Sequence, residues 1–242
     1  MLFSNTFLWV AGFALIAALI NGLGIYAVYK NKNWAQRIKN KLMCFAAGVL
    51  ITVPLTFAFP NAVEKNIYAG FSALAGFLFI FFSNNLIRKK TKQKHLTFGL
   101  TAAEGIGIHS FVDGVIYAVT FSASIFIGLL SGIGLILHEF AEGVIIFSAL
   151  IKAKVNKKKA AVYAFFIASL TTPLGAFVAY PFVNRLNSEI LGLLLGFVVG
   201  ILIYLSASHL LPEARKKNHK HSVWAFLSGV LLALIIVFSK II

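Results

Sequence analysis

Apolar residues run in long stretches along this chain, broken at near-regular intervals by short basic clusters. Eight such stretches stand out, at about 6–29, 42–63, 67–87, 97–121, 125–151, 160–183, 190–211 and 222–239, with ends placed to within roughly 2–4 residues. Each is close to the ~20 residues an α-helix needs to cross the hydrocarbon core of a bilayer. Helix is the economical solution there, because it satisfies every backbone N–H and C=O inside the segment. The pattern predicts an all-α integral membrane protein of eight transmembrane helices. No stretch between them reads as a soluble domain, so residues 1–242 form one transmembrane domain. The first run lacks a positive leader and a small-residue cleavage site and is read as a retained span.

The charges between the runs set the orientation. Lys30, Lys32, Arg37, Lys39 and Lys41 follow span 1; Arg88, Lys89, Lys90, Lys92 and Lys94 follow span 3. Lys152, Lys154, Lys157, Lys158 and Lys159 follow span 5; Arg215, Lys216, Lys217 and Lys220 follow span 7. Every one of these clusters falls on the same side, and only Lys65, Arg185 and Lys240 fall on the other. The positive-inside rule then places both termini outside and the basic loops in the cytoplasm. Nothing addresses the chain to an organelle, so the plasma membrane is expected.

Composition sharpens this reading. The 242 residues are 60% hydrophobic and 12% charged, against roughly 45–50% and about 25% in soluble domains. A formal charge of +15 would suggest nucleic acid in a soluble protein, but here every basic cluster is a loop between spans, so lipid is the partner and nucleic acid is not. The single cysteine, Cys44, excludes an internal disulfide and a Cys-rich metal or redox site.

Two internal echoes follow. Ile108-His109-Ser110-Phe111-Val112-Asp113-Gly114-Val115-Ile116 in span 4 and Leu137-His138-Glu139-Phe140-Ala141-Glu142-Gly143-Val144-Ile145 in span 5 share His-x-Phe-x-acid-Gly-Val-Ile. A weaker echo pairs Gly48, Pro60 and Ala62 of span 2 with Gly200, Pro212 and Ala214 of span 7. Each pair of spans crosses the membrane in opposite directions, as an inverted repeat requires, and such repeats place substrate near the midplane.

The chemistry sits in the first echo. Of seven acidic residues, Glu104, Asp113, Glu139 and Glu142 lie within spans 4 and 5. An intramembrane charge costs at least about 2.5–3.5 kcal/mol on insertion scales, so it is ordinarily paired and functional. His109 and Asp113 are four apart, as are His138 and Glu142, which puts each pair on one helical face. In antiparallel neighbours His109 comes level with Glu142 and Asp113 with His138. Two imidazoles and two carboxylates form a cage for a borderline divalent cation such as Zn²⁺ or Fe²⁺, whereas copper(I) prefers sulfur. A buried His–carboxylate network that only joins helices is the plain alternative. An intramembrane zinc-dependent hydrolase is another, since His138-Glu139 begins like H-E-x-x-H, though Glu142 stands where the second His belongs. His209 and Glu213, again four apart, and Glu104 are candidates for a pathway toward the cytoplasm. Thr171-Thr172-Pro173 interrupts span 6 and frees backbone carbonyls there.

These motifs resemble the ZIP (Zrt/Irt-like protein) family of divalent metal transporters: His109-Ser110-x-x-Asp113-Gly114, His138-Glu139-x-x-Glu142-Gly143, Pro173-Leu174-Gly175 and His209-Leu210-Leu211-Pro212-Glu213-Ala214. The resemblance implies eight helices in a three-plus-two-plus-three inverted arrangement and import of Zn²⁺ or a related metal. Fe²⁺, Mn²⁺ and Cd²⁺ stay open, and so does a homodimer. It implies a main site of His109, Asp113, His138 and Glu142, with Glu139 an optional ligand or a partner of the histidines. Ser110 departs from the usual Asn, and Thr172 stands where many prokaryotic-type members carry Glu. Two divalent ions about 4 Å apart repel by roughly 16 kcal/mol at an effective dielectric of 20. With neutral hydroxyls at 110 and 172, a single bound metal is expected.

Overall fold

The computed structural model describes residues 5–90, 95–212 and 219–241, and these form eight helices with no strand among them. In chain order they are α1 (Asn5–Lys30), α2 (Lys32–Lys65), α3 (Ala69–Lys90), α4 (His95–Ala123), α5 (Ile125–Lys152), α6 (Lys157–Val183), α7 (Ser188–Tyr204, continued by Leu205–Leu210) and α8 (His219–Ile241). Among the described residues six are long and apolar enough to cross a membrane; α3 and α8 carry the shorter apolar stretches Ala69–Ser83 and Ser222–Phe238. Large apolar side chains such as Leu19, Phe71, Phe182 and Trp224 lie exposed on the outer surface, the reverse of a soluble fold and the surface lipid requires. The chain is a multi-pass membrane protein.

Span 2 starts about ten residues earlier than its hydropathy suggests. Asn31, in extended conformation, accepts a hydrogen bond from the Trp34 N–H and caps the helix. Ala35, Lys39 and Met43 then continue a buried stripe at four-residue spacing through the basic segment. The cluster read as a loop is therefore the first three turns of α2.

Three π-helical segments interrupt the spans, at Pro54–Ala58, Phe165–Ser169 and Leu205–Leu210. Pro54 lacks an N–H, so the α-helical bond to the carbonyl four residues earlier is lost. Hydroxyls take up neighbouring carbonyls: Thr52 donates to Gly48 O and Thr56 to Thr52 O. In α6, Thr171 donates to Ile167 O and, at 3.1 Å, to Ala168 O. The irregularity expected at Thr171-Thr172-Pro173 is thus set one turn earlier, as a change of hydrogen-bond register.

The helices pack most extensively as α1 on α5, α4 on α6, α2 on α8 and α3 on α7, with α5 also lying along α2 and α4. Each of the first four crossings is made at a reciprocal pair of glycines. A methyl group on Gly114 would collide with the Thr172 carbonyl, and one on Gly175 with the Phe111 carbonyl. Gly143 and Gly24 do the same between α5 and α1, as do Gly48 with Gly229 and Gly76 with Gly200. Close backbone approach of this kind is how helices gain packing energy where hydrophobic drive is absent.

Candidate metal centre

Ser124 alone separates α4 from α5; its extended backbone reverses the chain. His109 and His138 lie almost equally far along the chain from it, so the tight turn brings the middles of the two helices level. Both faces of paired residues then meet. His109 Nε2 lies 2.9 Å from Glu142 Oε1, and His138 Nε2 lies 3.2 Å from Asp113 Oδ2. The intrahelical contacts close the ring: His109 Nε2 to Asp113 Oδ2 is 3.5 Å and His138 Nε2 to Glu142 Oε1 is 3.6 Å.

Nitrogen and oxygen alternate around this ring, and the four atoms lie within 4.8 Å of one another. A tetrahedral zinc site with arms of about 2.0–2.1 Å places its corners about 3.3–3.4 Å apart, and the four ring distances of 2.9–3.6 Å bracket that value. His138 and Asp113 are fully buried, Glu142 nearly so, and His109 is 22% exposed. Two buried polar atoms of the ring residues, Asp113 Oδ1 and His138 Nδ1, have no hydrogen-bond partner among the described residues. An unsatisfied buried carboxylate oxygen is costly, which marks Asp113 as a group held there for a reason other than helix packing.

A supporting contact fixes the second oxygen of Glu142. The Ser110 hydroxyl donates to Glu142 Oε2 at 2.8 Å, leaving Oε1 directed at the histidines. Ser110 therefore stands behind a member of the cage.

Glu139 has different surroundings. Asn21 Nδ2 of α1 donates to its Oε2 at 2.8 Å, and Thr172 Oγ1 of α6 donates to its Oε1 at 2.9 Å. Ser169 Oγ in turn donates to Asn21 Oδ1 at 3.0 Å. All four residues are fully buried. The structure thus brings together His109, Asp113, His138 and Glu142, sets Ser110 behind Glu142, and joins Glu139 and Thr172 in a separate network. Glu213 and the side chains of His209 and Glu104 lie outside the described residues. Sequence reasoning missed Asn21 and Ser169. The one available signal was Asn21 itself, an amide in the middle of an apolar run.

The family model for "ZIP Zinc transporter" matches residues 88–237. Among curated proteins, the zinc transporter ZupT of Clostridium perfringens is 34% identical over 79 residues, covering 32% of this chain and 27% of that protein. The ZupT zinc transporters of Oceanobacillus iheyensis and Akkermansia muciniphila are 39% identical over 82 residues and 35% over 83, covering 32% and 34% of this chain. The matched segments span 29% and 30% of those two relatives' own lengths, so in each case under a third. The family match, by contrast, takes in well over half of the chain and includes both helices of the cage. With the four-residue ring at the middle of α4 and α5, it establishes that this chain belongs to the ZIP zinc transporter family.

Proposed function

We propose that the protein carries Zn²⁺ across the plasma membrane into the cytosol, with His109, Asp113, His138 and Glu142 as the ligands that hold the ion midway. The observation that carries this reading is the closed ring of two imidazole nitrogens and two carboxylate oxygens, with Asp113 Oδ1 left over and buried. Two carboxylates cancel the +2 charge, so the loaded site is electrically neutral in a medium that penalises net charge. Imidazole and carboxylate together suit a borderline ion such as zinc. Imidazole nitrogens bind metal in their neutral form, so loading releases any proton shared within the ring.

Two further features support an alternating mechanism. Exchanging α1 with α6, α2 with α7, α3 with α8 and α4 with α5 maps the four main helix pairings onto one another. The same exchange maps the glycine pair Gly24–Gly143 onto Gly175–Gly114, and the π segment at Pro54–Ala58 onto the one at Leu205–Leu210. These correspondences support a three-plus-two-plus-three inverted repeat, an arrangement that places substrate where the halves meet. His109 is the one member of the ring with substantial side-chain exposure. On the side of the N-terminus, Phe121 and Phe13 close over Gly128 and Gly132 of α5, and Tyr117 packs against Phe13. In the proposed orientation, with the basic loops cytoplasmic and both termini outside, these aromatic contacts lie between the cage and the outside.

Hydrolysis is the weaker reading, because the would-be base Glu139 has both oxygens engaged by Asn21 and Thr172. The test is ⁶⁵Zn²⁺ uptake into vesicles containing the purified protein. Saturable uptake by the unmodified protein is expected to fall to the protein-free background in His109→Ala and His138→Ala. Normal uptake by both variants contradicts the proposal.

A further inference from the structure

The ring does not account for Glu139. A carboxylate one residue from His138, fully buried in the middle of a membrane helix, needs a counter-charge or a complete set of hydrogen-bond donors. Here it has donors. The Asn21 amide donates from Nδ2 to Glu139 Oε2, which turns its own oxygen elsewhere. The elsewhere is Ser169, whose hydroxyl donates to that oxygen. Thr172 takes the other carboxylate oxygen. Two neutral donors from two helices thus hold one acid of a third, and Ser169 holds one of those donors.

The geometry points to a specific role, which rests on the metal-cage reading above. We propose that Asn21 is a positioning residue that fixes the metal count of the centre at one, its amide N–H standing where a second cation would have to approach Glu139. A metal drawn to Glu139 would need lone pairs from its neighbours. It would instead meet the N–H of Asn21, and turning that amide to offer Oδ1 breaks its bond to Glu139 and forces the Ser169 hydroxyl to change from donor to acceptor. The backbone cannot yield either: a methyl at Gly143 would collide with the Asn21 carbonyl, so α1 is seated directly against α5 at this level. Asn21 and Thr172 are also related by the helix exchange described above, one in α1 and the other in α6, and each supplies one neutral donor to the same acid. The two halves of the fold contribute equally to the clamp. Replacing either donor by a carboxylate would place a second negative charge beside Glu139, and two acids hold a divalent ion where one acid and two donors do not.

The experiment is a count of zinc bound per chain, by equilibrium dialysis of the full-length protein in detergent followed by elemental analysis. The unmodified protein is expected to bind one equivalent, and Asn21→Asp two. Thr172→Glu, also expected to bind two, serves as a second route should Asn21→Asp not fold. Two equivalents on the unmodified protein overturn the proposal, as does a single equivalent on folded forms of both variants. Dialysis of His138→Ala separates this from the cage reading: if it still binds one equivalent as tightly as the unmodified protein, the cage itself is misassigned.

Discussion

Glu142 and Glu139 are three residues apart on one helix, equally deep in the protein, and they have been put to different use. Glu142 shares its Oε1 between two imidazoles and gives its Oε2 to Ser110. Glu139 gives both oxygens to neutral donors on α1 and α6. Helix geometry makes the division. At about 100° per residue, Glu142 lies roughly 40° from His138 around the helix, whereas Glu139 lies about 100° away. The first acid faces α4 and its histidine; the second faces the crossing with α1 and α6. Partners in three dimensions, rather than proximity in sequence, decide which carboxylate meets imidazole and which meets neutral donors.

The sharpest way to break this comparison is to neutralise each acid in turn. Glu142→Gln removes a charged ligand and leaves two imidazoles and one acid, and should lower zinc affinity roughly 100-fold or more. Glu139→Gln alters only the clamp and should change affinity by less than about tenfold. Zinc titrations monitored by calorimetry measure both, and equal losses would mean that the two acids do the same work.

A smaller effect tests the support behind the cage. Ser110→Ala removes the donor that holds Glu142 Oε2. Loss of an outer partner of a metal ligand typically lowers affinity 10- to 100-fold, and the lower end, about tenfold, is expected because Glu142 keeps both histidines. Zinc competition against a chromogenic chelator reads this directly. An unchanged affinity would show that Glu142 needs no help to face the ring.

Much of this was legible in the sequence, and the omissions have physical causes. Spans were readable because hydropathy changes sharply at a membrane boundary. The start of α2 was misplaced because a basic segment reads as loop, although an Asn31 cap and a stripe through Ala35 and Lys39 extend the helix. The π segments at Pro54–Ala58 and Leu205–Leu210 were invisible, because a shift in hydrogen-bond register leaves the apolar pattern almost untouched; the one in α6 was signalled by Thr171-Thr172-Pro173, one turn further along. His109, Asp113, His138 and Glu142 could be placed on facing surfaces because ionisable residues are rare at that depth and their four-residue spacing fixes a helical face. Asn21 and Ser169 could not. They are uncharged, lie more than a hundred residues apart, and gain significance only when α1 and α6 meet over Glu139.

The central claim is that one zinc ion sits among two imidazoles and two carboxylates in the middle of the bundle. X-ray absorption at the zinc edge tests it most directly on the zinc-saturated, unmodified protein. The account predicts a first shell of two nitrogen and two oxygen ligands at about 2.0–2.2 Å, no metal–metal scattering, and loss of the imidazole contribution of one ring in His138→Ala. A shell without imidazole, or a second zinc a few ångströms from the first, would contradict it.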